Sequence, residues 1–229
     1  MKIIILILAI FLCSASALSQ TAVPNSDIQF WNDTSITFPL IKSKDEKGKE
    51  FERLSFSING TLRFGRSASG FTDERIGVGI NYRINKYVSL APDTFYRARQ
   101  LSKGRKDYET RFRFAVVLEN KWQKFSIADR NQIEYRLRNS RQDSVRYKNR
   151  FRFNYPLLKA KKELFTPFIS DEVYYDFLAK AWTRNDLFVG IGKKINNTFS
   201  TDVYYLLVKD KSLPHTINGI GVSLKFKVN

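Results

Sequence analysis

Tyr108-Glu-Thr-Arg-Phe-Arg-Phe-Ala-Val-Val-Leu-Glu119 is the stretch that decides the fold. Within it Phe112, Phe114, Val116 and Leu118 alternate with Arg111, Arg113, Ala115, Val117 and Glu119. A period of two puts the apolar side chains on one face of a β-strand and the charged ones on the other. The pattern recurs at once. Ile133, Tyr135 and Leu137 oppose Gln132, Glu134, Arg136 and Arg138, and then Val145, Tyr147, Phe151, Phe153 and Tyr155 oppose Arg146, Lys148, Arg150 and Arg152. One face is unusually aromatic and the other unusually cationic. We expect the first to meet lipid and the second to line a lumen.

Outward from this stretch, the same alternation is found in most of the chain. Leu54, Phe56, Ile58, Leu62 and Phe64 share a phase, as do Ile76, Val78, Ile80 and Tyr82. Near the C-terminus Ile220, Val222, Leu224, Phe226 and Val228 do so against Gly219, Gly221, Ser223, Lys225 and Lys227. Asp27–Phe38 is strand-like, with Asn32 and Trp31 out of pattern. Tyr87–Arg99 is weaker and holds Pro92, which points to a bulge or an edge. Eleven strand-like segments of about ten residues result, joined by turns and with no helical stripe, which is the transmembrane-barrel pattern. The expected fold is all-β, an antiparallel up-and-down transmembrane barrel. Single-chain bacterial barrels favour even counts, so about twelve strands are expected, with ten as the alternative. The short links Ile84–Lys86, Asn120–Lys124 and Ile195–Thr198 would share one end of the barrel. A soluble barrel or sandwich with its apolar face buried is the competing arrangement, but its strands are typically shorter, about five to six residues.

The chain has 229 residues, a net charge of +17, 27% charged and 14% aromatic residues, 19 of them Phe. Disordered chains lack such aromatic content. The basic residues are spread at strand spacing rather than gathered in a patch, which argues against a nucleic-acid partner. Lys2, the apolar run Ile3–Leu12 and the small residues of Cys13-Ser-Ala-Ser-Ala17 form an export signal over residues 1–17. Cleavage is expected after Ala17, or as late as Gln20. The run is shorter than the roughly 20 residues of a spanning helix, and Leu12 before Cys13 disfavours a lipoprotein. Removal of Cys13, the one cysteine, leaves residues 18–229 as a single domain without disulfides. The expected location is the outer membrane of a Gram-negative bacterium.

Several motifs resemble a family of bacterial outer-membrane-type barrels, domain of unknown function family 2490. They are Phe30-Trp31, Arg130-Asn-Gln-Ile-Glu-Tyr-Arg136, Asn149-Arg-Phe-Arg-Phe153, Pro167-Phe-Ile-Ser-Asp-Glu172 and Arg184-Asn-Asp-Leu187 leading to Gly190-Ile-Gly192. The resemblance implies the fold and the location over essentially the whole exported chain, and no activity. Gln132 and Asp186 stand where the pattern suggests arginine.

The alternation assigns to the lumen Arg63, Arg75, Arg83, Arg111, Arg113, Arg130, Arg136, Arg138, Arg146, Lys148, Arg150, Arg152 and Arg184. Accompanying acids are Glu109, Glu119, Glu134, Glu172, Asp176 and Asp202. Two arrangements fit. Cross-strand ion-pair ladders could fill the interior as structure, at about 0.2–1 kcal/mol per facing pair. Alternatively, arginines without acidic partners form an anion-selective channel for small acidic solutes. A lipid-modifying enzyme is a third class, but the single histidine, His215, lies beside Pro214 in a loop near Ser212 and Ser223. No cofactor and no metal is expected, because there is no Cys after export, one His and no acidic cluster at ligand spacing. Gly77-x-Gly79 and Gly190-x-Gly192 sit in strands and relieve crowding rather than cradle phosphates. The expected partners are outer-membrane lipid and, in the channel arrangement, small anions, with a monomer as the simplest state.

Overall fold

The computed structural model describes residues 25–44, 48, 50–65, 70–102, 105–160 and 162–228. The export signal expected at 1–17 lies outside them. Twelve strands are present among the described residues: β1 (Ser26–Lys44), β2 (Glu50–Gly65), β3 (Gly70–Arg83), β4 (Val88–Ser102), β5 (Arg105–Lys121), β6 (Ser126–Arg138), β7 (Ser144–Asn154), β8 (Leu157–Lys159), β9 (Lys162–Asp176), β10 (Ala181–Lys194), β11 (Phe199–Asp210) and β12 (Thr216–Lys227). No helix is present among these residues.

Eleven of these strands close on one another as a barrel, in the order β1 to β7, then β9 to β12 and back to β1. β8 is the continuation of β7 beyond a break. Asn154 pairs with Phe168, the Tyr155 N–H donates to the Pro167 carbonyl at 3.0 Å, and Leu157 pairs with Phe165. Pro156 has no N–H to give to the ladder, so one long strand is divided in two. An odd count is accommodated at the seam, where β1 runs parallel to β12 from Ser26 opposite Thr216 to Thr37 opposite Lys227. Every other neighbouring pair is antiparallel. No extra strand is therefore needed for the first and last strands to meet, because evenly spaced parallel hydrogen bonds close the ring.

Pro92 makes neither a bulge nor an edge. It faces Phe114 on β5 in an unbroken register, while the β3–β4 ladder lapses between Gly79 opposite Asp93 and Tyr82 opposite Leu90, then resumes without a shift. The missing amide interrupts one side of the strand only. β2 runs to Gly65 and β3 begins at Gly70, so Phe71, Thr72 and Asp73 already belong to a strand. Two of the tight links are built alike. In Ile84–Tyr87 the Asn85 side-chain oxygen accepts the N–H groups of Tyr87 and Val88, and in Ile195–Thr198 Asn196 does the same for Thr198 and Phe199. Such Asx turns supply locally the hydrogen bonds a tight reversal needs. These links, and that at Trp122–Phe125, share one end of the barrel with Val228.

The outward face carries Phe112, Phe114, Ile133, Tyr135, Ile76, Val189, Val203 and Ile220, all exposed. Across β6, β7, β9 and β10 this apolar wall is crossed by Asp129, Asn131, Asn149, Asp171 and Asn185. Asp129 accepts from Asn131 and Asn149 at 2.7 and 2.6 Å, Asn131 accepts from the Tyr147 hydroxyl at 2.5 Å, and Asp171 accepts from Asn185 at 2.7 Å. The band thus turns many of its donors onto its own acceptors.

Candidate functional site: a basic vestibule and a polar chamber

The inward phase is built from two unlike halves. On β1 and β9 to β12, large rings and aliphatics point inward. Trp31, Phe168, Phe188, Tyr204, Leu206, Val208 and Ile217 form one buried cluster. Glycines opposite them make the room. A side chain at Gly221 would collide with the Tyr204 ring, and one at Gly190 would meet the Tyr204 Cβ at 2.6 Å. These inward rings are what the alternation missed, because it assigned apolar residues to the outside. The one sign was Trp31, out of phase in β1.

On β3 to β7 the inward phase is ionic. Asp73 binds Arg75 at 2.8 Å and also Arg97, and Arg97 reaches Glu109 at 3.0 Å. Glu109 is shared further by Arg111 at 2.9 Å and by Arg136, and Arg111 reaches Glu134 at 3.3 Å. Arg136 and Arg146 approach Asp176 at 3.6 and 3.5 Å. The chain of charges continues through Lys148 and Arg150 on Glu172 at 3.1 and 3.4 Å. The Tyr174 hydroxyl lies 2.6 Å from Glu172 and 2.9 Å from Asp186, and Asp186 binds Arg184 at 2.6 Å. Farther toward the other end, Asp93 holds Arg113 and Arg130, and Asp202 holds Arg152 and Lys225. Arg83 and Glu119 pair with each other near that rim.

Cations lie over rings, both within the ionic half and across to the apolar one. Arg63 lies 3.5 Å over the Trp31 ring, Arg152 3.8 Å over Phe168, Arg113 4.0 Å over Phe95 and Arg150 4.9 Å over Phe188. Each such contact contributes about 0.5–2 kcal/mol, more where water is excluded.

Two cavities flank this packing. A vestibule of about 300 Å³ is lined by twelve Arg or Lys side chains and by only two carboxylates, Asp176 and Asp210. It lies at the end of the barrel that carries Lys211 and Ser212 of the β11–β12 link. A chamber of about 450 Å³ lies toward the opposite end and is lined largely by Ser, Thr and Asn, by Arg113 and Arg130, and by Ile80, Asn81, Ala91 and Pro92, where the β3–β4 ladder lapses. Arg63, Arg75, Lys148 and Tyr174 border both cavities. Around that level Glu134 is 0%, Asp186 1%, Trp31 2% and Arg136 2% exposed, whereas Arg63, Arg75 and Lys148 are half-buried.

The residues that alternation assigned to the lumen do not form one surface. Arg63, Arg75, Arg111, Arg136, Arg138, Arg146, Lys148 and Arg184 meet at the vestibule; Arg113, Arg130 and Arg150 line the chamber; Arg83 and Glu119 sit apart. Sequence reasoning overlooked Arg97 and Arg99, hidden in the Pro92 segment, and the acids Asp73, Asp93 and Asp186. With these included, most arginines have a carboxylate. Asp186 and Gln132, which depart from the arginine pattern, are the acid on Arg184 and an acceptor for Arg130 at 3.1 Å. Among the described residues Arg63, Arg99, Arg138, Arg141 and Lys211 make no ion pair, and all five line the vestibule.

His215 lies exposed in the link after β11, with Nδ1 3.1 Å from the Asp210 carbonyl, while the Ser212 hydroxyl donates to the Asp210 carboxylate at 2.7 Å. No hydrogen bond joins Ser212 to His215. No group of three potential metal ligands occurs among the described residues.

A closed β-barrel with an apolar exterior and an ion-paired interior is the class that fold and site define. The family model "Protein of unknown function (DUF2490)" matches residues 28–214. The chain belongs to that family. Comparison with curated proteins and with solved structures gives no match.

Proposed function

We propose that the protein is an exported outer-membrane barrel of Gram-negative bacteria whose interior is a standing plug of ion pairs and rings. On this reading it is a non-catalytic wall element, closed to solutes as it stands. The observation that carries the reading is burial: Glu134, Asp186, Trp31 and Arg136 are packed almost free of exposed surface inside a wall whose outward face is apolar, and on this reading they form a partition between the two cavities. Lipid requires a closed ring with no unpaired edge, and the strands exceed the nine to eleven residues a tilted span needs in nearly every case. The Asp129–Asn185 band is compatible with a lipid-facing wall because its polar groups largely bond to one another, which lowers the cost of leaving water. No nucleic-acid partner is proposed, because the cationic groups line an interior cavity of about 300 Å³ rather than an outer face.

Incorporation into planar lipid bilayers tests this directly. The expected record is a quiet baseline with at most brief, small openings. A stable, ohmic conductance of porin size would overturn the closed reading. A second reading, passage of small acidic solutes, is favoured by one observation, the twelve-to-two charge ratio of the vestibule lining. It requires the partition to move, and it would show as conductance with anion preference.

A further inference from the structure

We propose that the vestibule is a binding site for a small soluble oxyanion carrying two or more negative charges, a pyrophosphate or phosphate ester being the type, held by Arg63, Arg99 and Arg138. This deepens the second reading above by naming the ligand class, and it concerns capture at the mouth rather than passage.

The interior is otherwise a system of paired charges. At the same cavity Arg75, Arg97, Arg111 and Arg184 each have a carboxylate within hydrogen-bond reach. Arg63, Arg99 and Arg138 have none among the described residues, although ion-pair ladders that merely fill a lumen would provide them. The two acids of the lining are already engaged: Asp176 by Arg136 and Arg146, Asp210 by Arg184 and Ser212. They leave no free carboxylate to repel an entering anion.

The donors also have the right shape. Arg63 presents its face to Trp31 at 3.5 Å, which leaves the in-plane N–H groups of its edge for a bidentate acceptor. Its Nε is buried without a hydrogen-bond partner, as is the Nε of Arg138. Arg138 gives one N–H to the Gln142 carbonyl, an anchor that holds the side chain at the mouth. The ligand is a soluble solute rather than a lipid headgroup because the lining holds no aliphatic side chain to accept an acyl chain. Several uncompensated guanidinium groups favour a multiply charged oxyanion over a monovalent one, and their planar forks match phosphate geometry.

The chain has three tryptophans, Trp31, Trp122 and Trp182. In a Trp122→Phe, Trp182→Phe background, emission reports on Trp31, directly beneath Arg63. The exported chain, refolded in a non-ionic detergent, is titrated with sodium pyrophosphate and separately with acetate at fixed ionic strength. Saturable change with pyrophosphate and none with acetate is expected. Arg99→Gln with Arg138→Gln should weaken pyrophosphate at least tenfold, while Arg83→Gln at the far rim should leave it unchanged. Absence of saturation, or undiminished affinity in the double variant, overturns the proposal. Should that variant not fold, Arg99→Lys with Arg138→Lys retains charge but removes the forks, and unchanged affinity there overturns it equally. Conductance does not enter this measurement, so the closed-barrel reading and the anion site fail separately.

Discussion

Gly219→Val is expected to abolish the closed barrel. Gly219 sits opposite Gln29 across the parallel β1–β12 seam. A Cβ there would run into the Gln29 carbonyl oxygen and lie 2.9 Å from its carbonyl carbon. The obstacle is the backbone of the partner strand, so rotamer changes cannot relieve it. Overpacking within a core costs about 1–3 kcal/mol where side chains can shift, and a backbone collision at the closing seam should exceed that range. The seam is also where the ring closes between the two chain ends, so loss of its register leaves two unpaired edges, which hydrocarbon does not tolerate. The measurement is the heat-modifiable shift on unboiled gels after refolding in detergent. The parent chain should run as a folded species and Gly219→Val as an unfolded one. Gly60→Val, on the wall where an added Cβ meets nothing within 4 Å, is the control, and it should fold.

Glu109→Gln should be the most damaging single change in the ionic half. Glu109 is 4% exposed and is shared by Arg97, Arg111 and Arg136. Neutralising it leaves three guanidinium groups facing one another with Asp73, Glu134 and Asp176 as the remaining acids. Removing one partner of a buried ion pair costs about 3–5 kcal/mol because the other charge stays behind in a poor solvent. Urea unfolding of the detergent-refolded protein should move by that amount. The same substitution at Glu119, whose pair with Arg83 is well exposed, should cost below about 1 kcal/mol. Equal effects at the two sites would mean that the partition is wetter than its burial indicates.

The sequence alone determined that this chain is a β-barrel, and which residues of Tyr108–Tyr155 face which way, because a period of two is a property of the strand itself and needs no tertiary information. Arg111, Glu134, Arg136 and Arg150 could be placed inward for that reason. The links at Ile84–Tyr87 and Ile195–Thr198 were legible too, since their asparagines build the turn locally. Other features depended on strands that lie far apart in sequence. Parallel closure of β1 on β12 joins Gln29 to Gly219, a contact no local pattern encodes. The inward turn of Tyr204 follows from the space that Gly190 and Gly221 on the neighbouring strands leave for its ring, against which Phe188 packs and, on Phe188, Trp31. Which arginines are paired was decided by Asp73, Asp93 and Asp186, each reaching across to another strand or back along its own. Alternation gives a side chain its face but not its neighbour. The distinction between a filled interior and a basic mouth is one of neighbours, and only the closed ring determines them.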